Sequence, residues 1–343
     1  MTLPELTLAT RLRSKPTRDQ RKALCATIAS FQQPETALDL VRACLPYGRI
    51  PQTVGCTVKS VHPDRFVLHM RVGLDGGEER GLALKVYADD FGRNVWRLAN
   101  GLVGREGSIH DGVCLPTRYL PERRTLVFDW VEGPRLSDIV DDRKLELLRR
   151  AAMLVADLHR APLVAVPPLT ADMVVADTLD RCGRLRYRWP SMAESLEAVL
   201  AQARRAASGL DLAVPRLVHG DLAAGQFLWT GKRLVLLDLD AAALADPAYD
   251  VGHFLGQLER RCVLDQTLPP HSREWLSCFR NAYRSAMPGI SLRNVSFYHG
   301  LTLLRKMYTL CRRDTLGGPR LAAPLAERAR AAFEAVAAGG EGR

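Results

Sequence analysis

The chain has 343 residues, of which 47% are apolar and 25% charged, a composition typical of a globular protein with about two domains or lobes. No run approaches the roughly 20 apolar residues that span a bilayer, and the N-terminal segment lacks the charge order of a signal peptide, so no membrane association is expected. The formal net charge is +10, but most arginines occur singly or in short pairs, which argues against a nucleic-acid partner. The one cluster with interleaved aromatic residues, Arg181–Trp189, is interpreted as a loop and solvated helix start, with a polyanion-binding patch as the alternative.

Residues 1–50 are predicted to form a helical extension. Thr17 and Gln20 have the spacing of a capping box, and Pro34 opens a second helix. Nothing in this segment carries chemistry. We expect it to pack on the segment that follows, with dimerisation as the alternative.

The segment 51–88 changes from helical to alternating periodicity. Three strands are predicted in an antiparallel meander: Val54–Val61, Phe66–Val72 and Leu82–Tyr87. Lys85 lies in the third of them, and taken alone it is interpreted as an exposed strand lysine. Gly73–Gly81 is followed by no Lys-Ser or Lys-Thr pair at P-loop spacing, so it is interpreted as a hairpin turn.

The elements from residue 89 onward are mainly helical. A helix is predicted over 89–104, and an apolar strand at 126–133 ends in acidic residues and glycine. Further helices are predicted at Leu145–His159, 191–208, Val251–Arg261, Arg273–Ala286, Phe297–Arg312 and Pro324–Ala338. His159, at the end of the first of these, is interpreted as a histidine at the edge of the core rather than as a ligand.

The stretch 217–250 carries the chemistry. His219-Gly220-Asp221 follows a short apolar run, and a turn at Thr230-Gly231-Lys232 separates two strand-like runs. If these runs form a hairpin, Gln226 and Asp238 face each other with Cβ atoms about 5 Å apart. An amide oxygen and a carboxylate at that separation suit a divalent cation such as Mg²⁺, and a second carboxylate, that of Asp221, completes the anatomy of a phosphoryl-transfer site. The alternative is that each Asp is an ordinary turn or strand-end residue.

The full pattern, H-G-D-x4-Q-x11-D-x-D-x5-D-P-x2-D, resembles the catalytic core of the aminoglycoside phosphotransferase and choline kinase-like family of small-molecule kinases. The resemblance implies a bilobal α+β protein kinase-like fold and an ATP- and Mg²⁺-dependent reaction. It makes Asp221 the catalytic residue, Gln226 and Asp238 metal ligands, and Asp240 an auxiliary metal contact. Asp250 would either brace the catalytic loop or serve as the N-cap of a helix beginning at Val251.

The resemblance extends to the nucleotide site. It implies that Lys85 binds the phosphates, that Glu106 is its nearest acidic partner, and that the carbonyl of Asp129 and the amide of Val131 bind the adenine edge. Two departures stand out: the family has Asn at the position of Gln226, and the helix over 89–104 contains no Glu.

These observations predict three regions: a helical extension (1–50), a kinase-like N-lobe (51–128) and a C-lobe (129–343). The predicted function is phosphorylation of a small-molecule hydroxyl in the cytoplasm, where scattered single cysteines stay reduced. Fourteen Lys and Arg against seven Asp and Glu after residue 250 favour a neutral or anionic acceptor. The alternative is a pseudokinase-like nucleotide-binding regulatory protein; a protein kinase is disfavoured by the lack of H-R-D, D-F-G and A-P-E motifs.

Overall fold

The structure is a computed structural model, and it describes residues 15–45, 49–103, 112–162, 164–313 and 318–338. The chain consists of two compact units, each described by itself. The first contains the described residues up to Gly133 together with Thr230–Asp240. The second contains Pro134–Trp229 and the described residues from Ala241 onward.

The first unit begins with two helices, α1 (Arg18–Phe31) and α2 (Pro34–Cys44). The predicted capping box is present, because the Thr17 hydroxyl accepts from the amide of Gln20 at 3.2 Å and the Gln20 side chain accepts from the amide of Thr17 at 2.7 Å. Buried apolar side chains of both helices share one core with the following sheet, so the expected packing of the extension is confirmed.

The sheet of the first unit has five strands in the order β1-β2-β3-β5-β4. Its strands are β1 (Pro51–Val61), β2 (Arg65–Leu74), β3 (Glu79–Tyr87), β4 (Arg118–Leu120) and β5 (Thr125–Asp129). The three predicted strands of the meander are present and pair antiparallel. The strand predicted at 126–133 ends at Asp129 and lies inside the sheet, between β3 and β4. The helix predicted over 89–104 is α3 (Gly92–Leu102).

The second unit is mainly helical. Its helices are α4 (Arg143–Arg160), α5 (Ala171–Gly183), α6 (Leu185–Arg188), α7 (Ala193–Ala207), α8 (Ala248–Leu264), α9 (Glu274–Ala286), α10 (Leu292–Arg313) and α11 (Gly318–Ala337). The prediction that Pro324 opens the last helix is wrong, because α11 begins at Gly318 and contains that proline within its length. None of the helices in the described part of the chain is long and apolar enough to cross a membrane.

Short strands carry the motif stretch. β6 (Arg216–Val218) pairs antiparallel with β9 (Ala243–Ala245), and the short strands β7 (Phe227–Trp229) and β8 (Leu234–Leu236) flank the predicted turn. The amide of Thr230 donates to the carbonyl of Arg233 at 3.1 Å, which closes this turn. The predicted turn between two strands is therefore confirmed, and the pairing of Gln226 with Asp238 stays a prediction.

Candidate active site

A single buried carboxylate, that of Asp250, holds the loop that carries Asp221. Asp250 is fully buried and accepts hydrogen bonds from the amides of His219, at 2.6 Å, and Gly220, at 2.9 Å. Two successive amides thus donate to one carboxylate, and these hydrogen bonds hold the backbone immediately before Asp221. The side chain of Asp221 itself is 32% exposed.

The placement of Asp250 decides between its two predicted roles. Helix α8 begins at Ala248 with Pro247 as its N-cap, so Asp250 lies inside the first turn and the N-cap interpretation is wrong. Its carboxylate instead makes the bracing contacts to the loop. An acidic side chain in the first turn also interacts favourably with the helix dipole.

A buried histidine completes this arrangement. The Nε2 atom of His159 lies 3.0 Å from the Asp250 carboxylate, and its Nδ1 atom lies 2.6 Å from the hydroxyl of Tyr283. Burial by itself would raise the pKa of Asp250, but His159 and the loop amide lower it below its ordinary value. His159 is fully buried, and it acts through Asp250 on the loop.

Gly220 is required by the same loop. Its φ is +80°, and a Cβ atom there would lie 1.9 Å from the carbonyl oxygen of Ala241. Gly231 has a similar φ of +86°, but no atom lies within 4 Å of the position that a Cβ would take there. A substitution at Gly231 therefore tests the cost of the left-handed backbone alone, whereas one at Gly220 adds the cost of steric overlap.

We expect Gly220→Ala to lower the free energy of unfolding by about 3–5 kcal/mol, because it combines a left-handed backbone with overpacking. Gly231→Ala should cost only about 1 kcal/mol, since it carries the backbone penalty alone. Urea denaturation of both variants measures the difference. Equal losses would contradict the steric role of Gly220.

Gln226 lies at the end of a single 3-10 turn (Ala224–Gln226), immediately before β7, and it is half-buried. The segment 134–138 runs alongside this turn: the amide of Leu136 donates to the carbonyl of Phe227 at 2.8 Å, and that of Ser137 to the carbonyl of Ala224 at 3.2 Å. Two basic side chains also donate to backbone carbonyls of the segment 134–138: Lys144 to the carbonyl of Leu136, and Arg261 to that of Ser137. The segment 134–138 thus holds the backbone before and after Gln226, at Ala224 and at Phe227.

Lys85 is the centre of the polar cluster in the first unit. The alternative that it is an exposed strand lysine is wrong, because the residue is only 7% exposed. Its ammonium group lies 2.7 Å from the carboxylate of Asp238 and 2.8 Å from that of Asp240. One cation therefore holds two carboxylates that lie more than 150 positions away in the sequence.

Asp240 is the inner of these two carboxylates. Its side chain is 4% exposed, and its oxygens lie 2.8 Å from the Tyr87 hydroxyl and 3.2 Å from Nε of Arg65. Arg65 also pairs with Asp64 at 3.2 Å. Burial by itself would lower the pKa of Arg65, but Asp240, Asp238 and Asp64 raise it above its ordinary value. Asp240 is therefore an ion-pair partner of both Lys85 and Arg65, and its auxiliary contact to the metal stays a prediction.

Asp238 is the outer carboxylate, and its donor chemistry fits a magnesium ion. The side chain is 30% exposed, and its backbone φ is +65°, an uncommon conformation for a residue other than glycine. No group of three or more His, Cys, Asp or Glu side chains suited to a metal occurs among the residues that the structure describes. Magnesium on a nucleotide needs only one or two protein ligands, since phosphates and water supply the others.

The predicted adenine-binding residues are Asp129, the last residue of β5, and Val131, two residues beyond it. Asp129 pairs with Leu82 in the sheet, and its carboxylate binds Arg80 at 2.6 Å. Trp130 stacks on His69 with ring centroids 3.8 Å apart, which anchors the chain immediately before Val131. Adenine binding by Asp129 and Val131 stays a prediction. Glu106 lies outside the described residues.

Sequence reasoning missed the residues that act through others. His159 was assigned to the core edge, and Arg65, Tyr87 and His253 were given no role. The helix ending in Leu-His was the only sequence signal for His159, and an arginine at the start of a strand was the only signal for Arg65. Neither signal names a partner.

Comparisons with known proteins identify a family and a fold. A family model described as the phosphotransferase enzyme family matches residues 95–268. Comparison with curated protein sequences gives no significant match.

Solved structures of similar fold are numerous. A thermostable mutant of aminoglycoside phosphotransferase APH(4)-Ia in its apo form is 16% identical, with a TM-score of 0.55 over 85% of this chain and 97% of that one. A choline/ethanolamine kinase family protein from Mesorhizobium loti is 16% identical, with a TM-score of 0.55 over 89% and 99%. Spectinomycin phosphotransferase APH(9)-Ia, in complex with ADP and spectinomycin, is 11% identical, with a TM-score of 0.53 over 88% and 98%. At such identities the likeness concerns the fold, and it confirms the predicted α+β kinase-like class.

Proposed function

Because the chain belongs to the phosphotransferase enzyme family, we propose that it transfers the γ-phosphoryl group of ATP to a hydroxyl of a small molecule in a magnesium-dependent reaction. The ion pair of Lys85 with Asp238, at 2.7 Å, carries this proposal. A lysine that binds phosphates and a carboxylate that binds magnesium are the two groups that a metal–nucleotide complex requires.

The roles are divided among four side chains. Asp221, exposed on a loop that Asp250 holds rigid, orients the acceptor hydroxyl and takes its proton. Gln226 and Asp238 are the oxygen ligands for Mg²⁺, and Lys85 neutralises the phosphates. Magnesium supplies charge neutralisation on the nucleotide when it is bound. Asp240 anchors Lys85 and Arg65 in this scheme, and it is also proposed as the auxiliary metal contact.

The adenine edge is proposed to bind the carbonyl of Asp129 and the amide of Val131. Main-chain groups suffice for this contact, and the stacking of Trp130 on His69 holds the segment in place. The proposed acceptor is a neutral or anionic hydroxyl compound, in line with the basic excess after residue 250.

The decisive experiment measures consumption of ATP and of GTP by the purified protein with Mg²⁺. The acceptors are hydroxyl compounds grouped by charge: aminoglycosides, amino alcohols, neutral sugars and hydroxy acids. Turnover with at least one acceptor, lost in Asp221→Ala, is expected. Turnover that persists in Asp221→Ala contradicts the role of Asp221. Nucleotide binding without turnover on any acceptor favours the regulatory, pseudokinase-like alternative.

The metal assignment makes a separate prediction. Gln226→Ala should raise the Mg²⁺ concentration for half-maximal activity by about tenfold or more, because an oxygen ligand is lost. Gln226→Asn keeps an amide oxygen and should retain most of the activity. Gln266→Ala, at an exposed position, serves as the control. An unchanged magnesium dependence in Gln226→Ala would remove this residue from the metal site.

A further inference from the structure

Asp221 has a histidine beside it that the proposed reaction does not yet use. The Nε2 atom of His253, on α8, lies 3.5 Å from Oδ1 of Asp221. The side chain of Asp221 is 32% exposed, whereas that of His253 is 5% exposed. One edge of the carboxylate therefore faces the protein interior, and the group as a whole still reaches solvent.

His253 is held in this orientation from several sides. Its Nδ1 atom lies 3.1 Å from the hydroxyl of Thr302 on α10, and the side-chain amide group of Gln257 lies 3.2 Å from its Nε2 atom. The ring of Tyr249 stacks on the imidazole, with centroids 5.8 Å apart and planes 9° apart. A stacked and hydrogen-bonded ring has few alternative rotamers.

The contact with Thr302 depends on a close approach of two helices. A Cβ atom at Gly256 would lie 2.7 Å from the Cβ atom of Thr302, and one at Gly252 would lie 2.6 Å from the carbonyl of Val295. Only glycine on α8 permits this spacing from α10. The sequence thus provides the small residues that bring the Thr302 hydroxyl within reach of the imidazole.

Charge also favours a neutral imidazole. Burial lowers the pKa of His253 below its ordinary value; Asp221 opposes this shift, and Lys306 and Arg305 lower the pKa further by smaller amounts. A neutral imidazole donates from one nitrogen and accepts at the other. When the Thr302 hydroxyl donates to Nδ1, the proton lies on Nε2, the nitrogen that faces Asp221, and the side-chain amide of Gln257 turns its oxygen toward that proton.

We propose that His253 is a positioning residue, which orients the carboxylate of Asp221 toward the acceptor hydroxyl while Thr302 holds the imidazole in the tautomer with hydrogen on Nε2. This inference rests on the proposed function, because it assumes that Asp221 receives the acceptor. The 3.5 Å separation shortens when the acceptor binds, as catalytic contacts commonly do.

Two matched pairs of variants test the inference. His253→Gln keeps an N–H group at the reach of Nε2, whereas His253→Asn keeps one only at the reach of Nδ1. Thr302→Ser keeps the hydroxyl, and Thr302→Val replaces it with a methyl group of similar size. Thermal unfolding shows whether each variant is folded.

The expected result is a fall in kcat of about tenfold or more for His253→Asn and Thr302→Val, the loss typical of one charge-assisted hydrogen bond. The His253→Gln and Thr302→Ser variants should stay within about threefold of the natural protein, and KM for ATP should not change. Equal losses within each pair, or a loss confined to KM for ATP, would overturn the proposal.

A measurement without turnover separates this inference from the proposed function. Nitrogen NMR of histidine-labelled protein identifies the tautomer of His253. We expect hydrogen on Nε2 in the natural protein, a shift of that resonance in Asp221→Asn, and a shift of the Nδ1 resonance in Thr302→Val, where the hydrogen bond from the hydroxyl is lost. Hydrogen on Nδ1 in the natural protein would overturn the positioning role, whether or not any acceptor is phosphorylated.

Discussion

Asp250→Ala is expected to lower the free energy of unfolding by about 3–5 kcal/mol and to abolish measurable turnover. The carboxylate is fully buried and accepts from two loop amides and from His159. Its removal leaves three buried donors without their acceptor, and each such donor is costly. Because the same amides hold the backbone before Asp221, the loss of stability and the loss of activity have one origin.

Two further variants calibrate this prediction. Asp250→Asn keeps the shape of the side chain but loses the charge, so its loss of stability should be intermediate. Asp265→Ala removes a carboxylate that is 34% exposed, just after the end of the same helix, and should leave both quantities nearly unchanged. Urea denaturation and ATP consumption are the measurements. An Asp250→Ala variant of natural stability would show that the loop does not depend on this carboxylate.

The same carboxylate sets an acid limit. Because the folded-state pKa of Asp250 lies below its ordinary value, the stabilisation is fully present above that ordinary value and is lost as the pH falls through the lowered one. The contribution is therefore complete at neutral pH.

Lys85→Met is expected to lower kcat/KM for ATP by about a hundredfold or more, because removal of the cation leaves a carboxylate pair where phosphates should bind. The buried Asp240 would then keep only Arg65 as a cationic partner, so the stability of the variant should also fall. Lys22→Met, at an exposed position on α1, is the control. Steady-state kinetics with varied ATP measures the effect.

The two consequences of Lys85→Met can be separated. Adding Asp240→Asn removes the buried charge and should restore stability, since a buried ion pair loses most when one partner is left alone. The double variant should nevertheless keep the poor ATP kinetics. If stability and kinetics recover together, Lys85 has a structural role only. If ATP kinetics never change, the phosphate-binding assignment is wrong.

Local signals in the sequence were sufficient for the elements of the site. The turn at 230–232 and the alternating pattern around Lys85 each predicted a structure that the chain adopts. These signals are short-range, since turn chemistry and strand periodicity depend on neighbours within a few residues. Helix ends were less well predicted, as the Asp250 cap and Pro324 show.

Partners distant in sequence were not predictable in the same way. A buried histidine looks the same in a sequence whether it fills space, as assumed for His159, or holds a carboxylate, as it does here. His253 received no interpretation at all, because its polar neighbours Asp221 and Thr302 come from separate segments of the chain.

By itself, the sequence determined the class of fold, the order of its elements and the residue types available for phosphoryl transfer, because periodicity, turn residues and motif spacing are properties of adjacent positions. Only the tertiary structure decided which charges meet: Lys85 with Asp238 and Asp240, and Asp250 with His159 and the loop amides. Lys85 and Asp238 are 153 residues apart in the sequence, and His159 and Asp250 are 91 residues apart, so these contacts depend on packing between distant segments. The same contacts determine which carboxylates act as buried anchors and which remain partly exposed for chemistry.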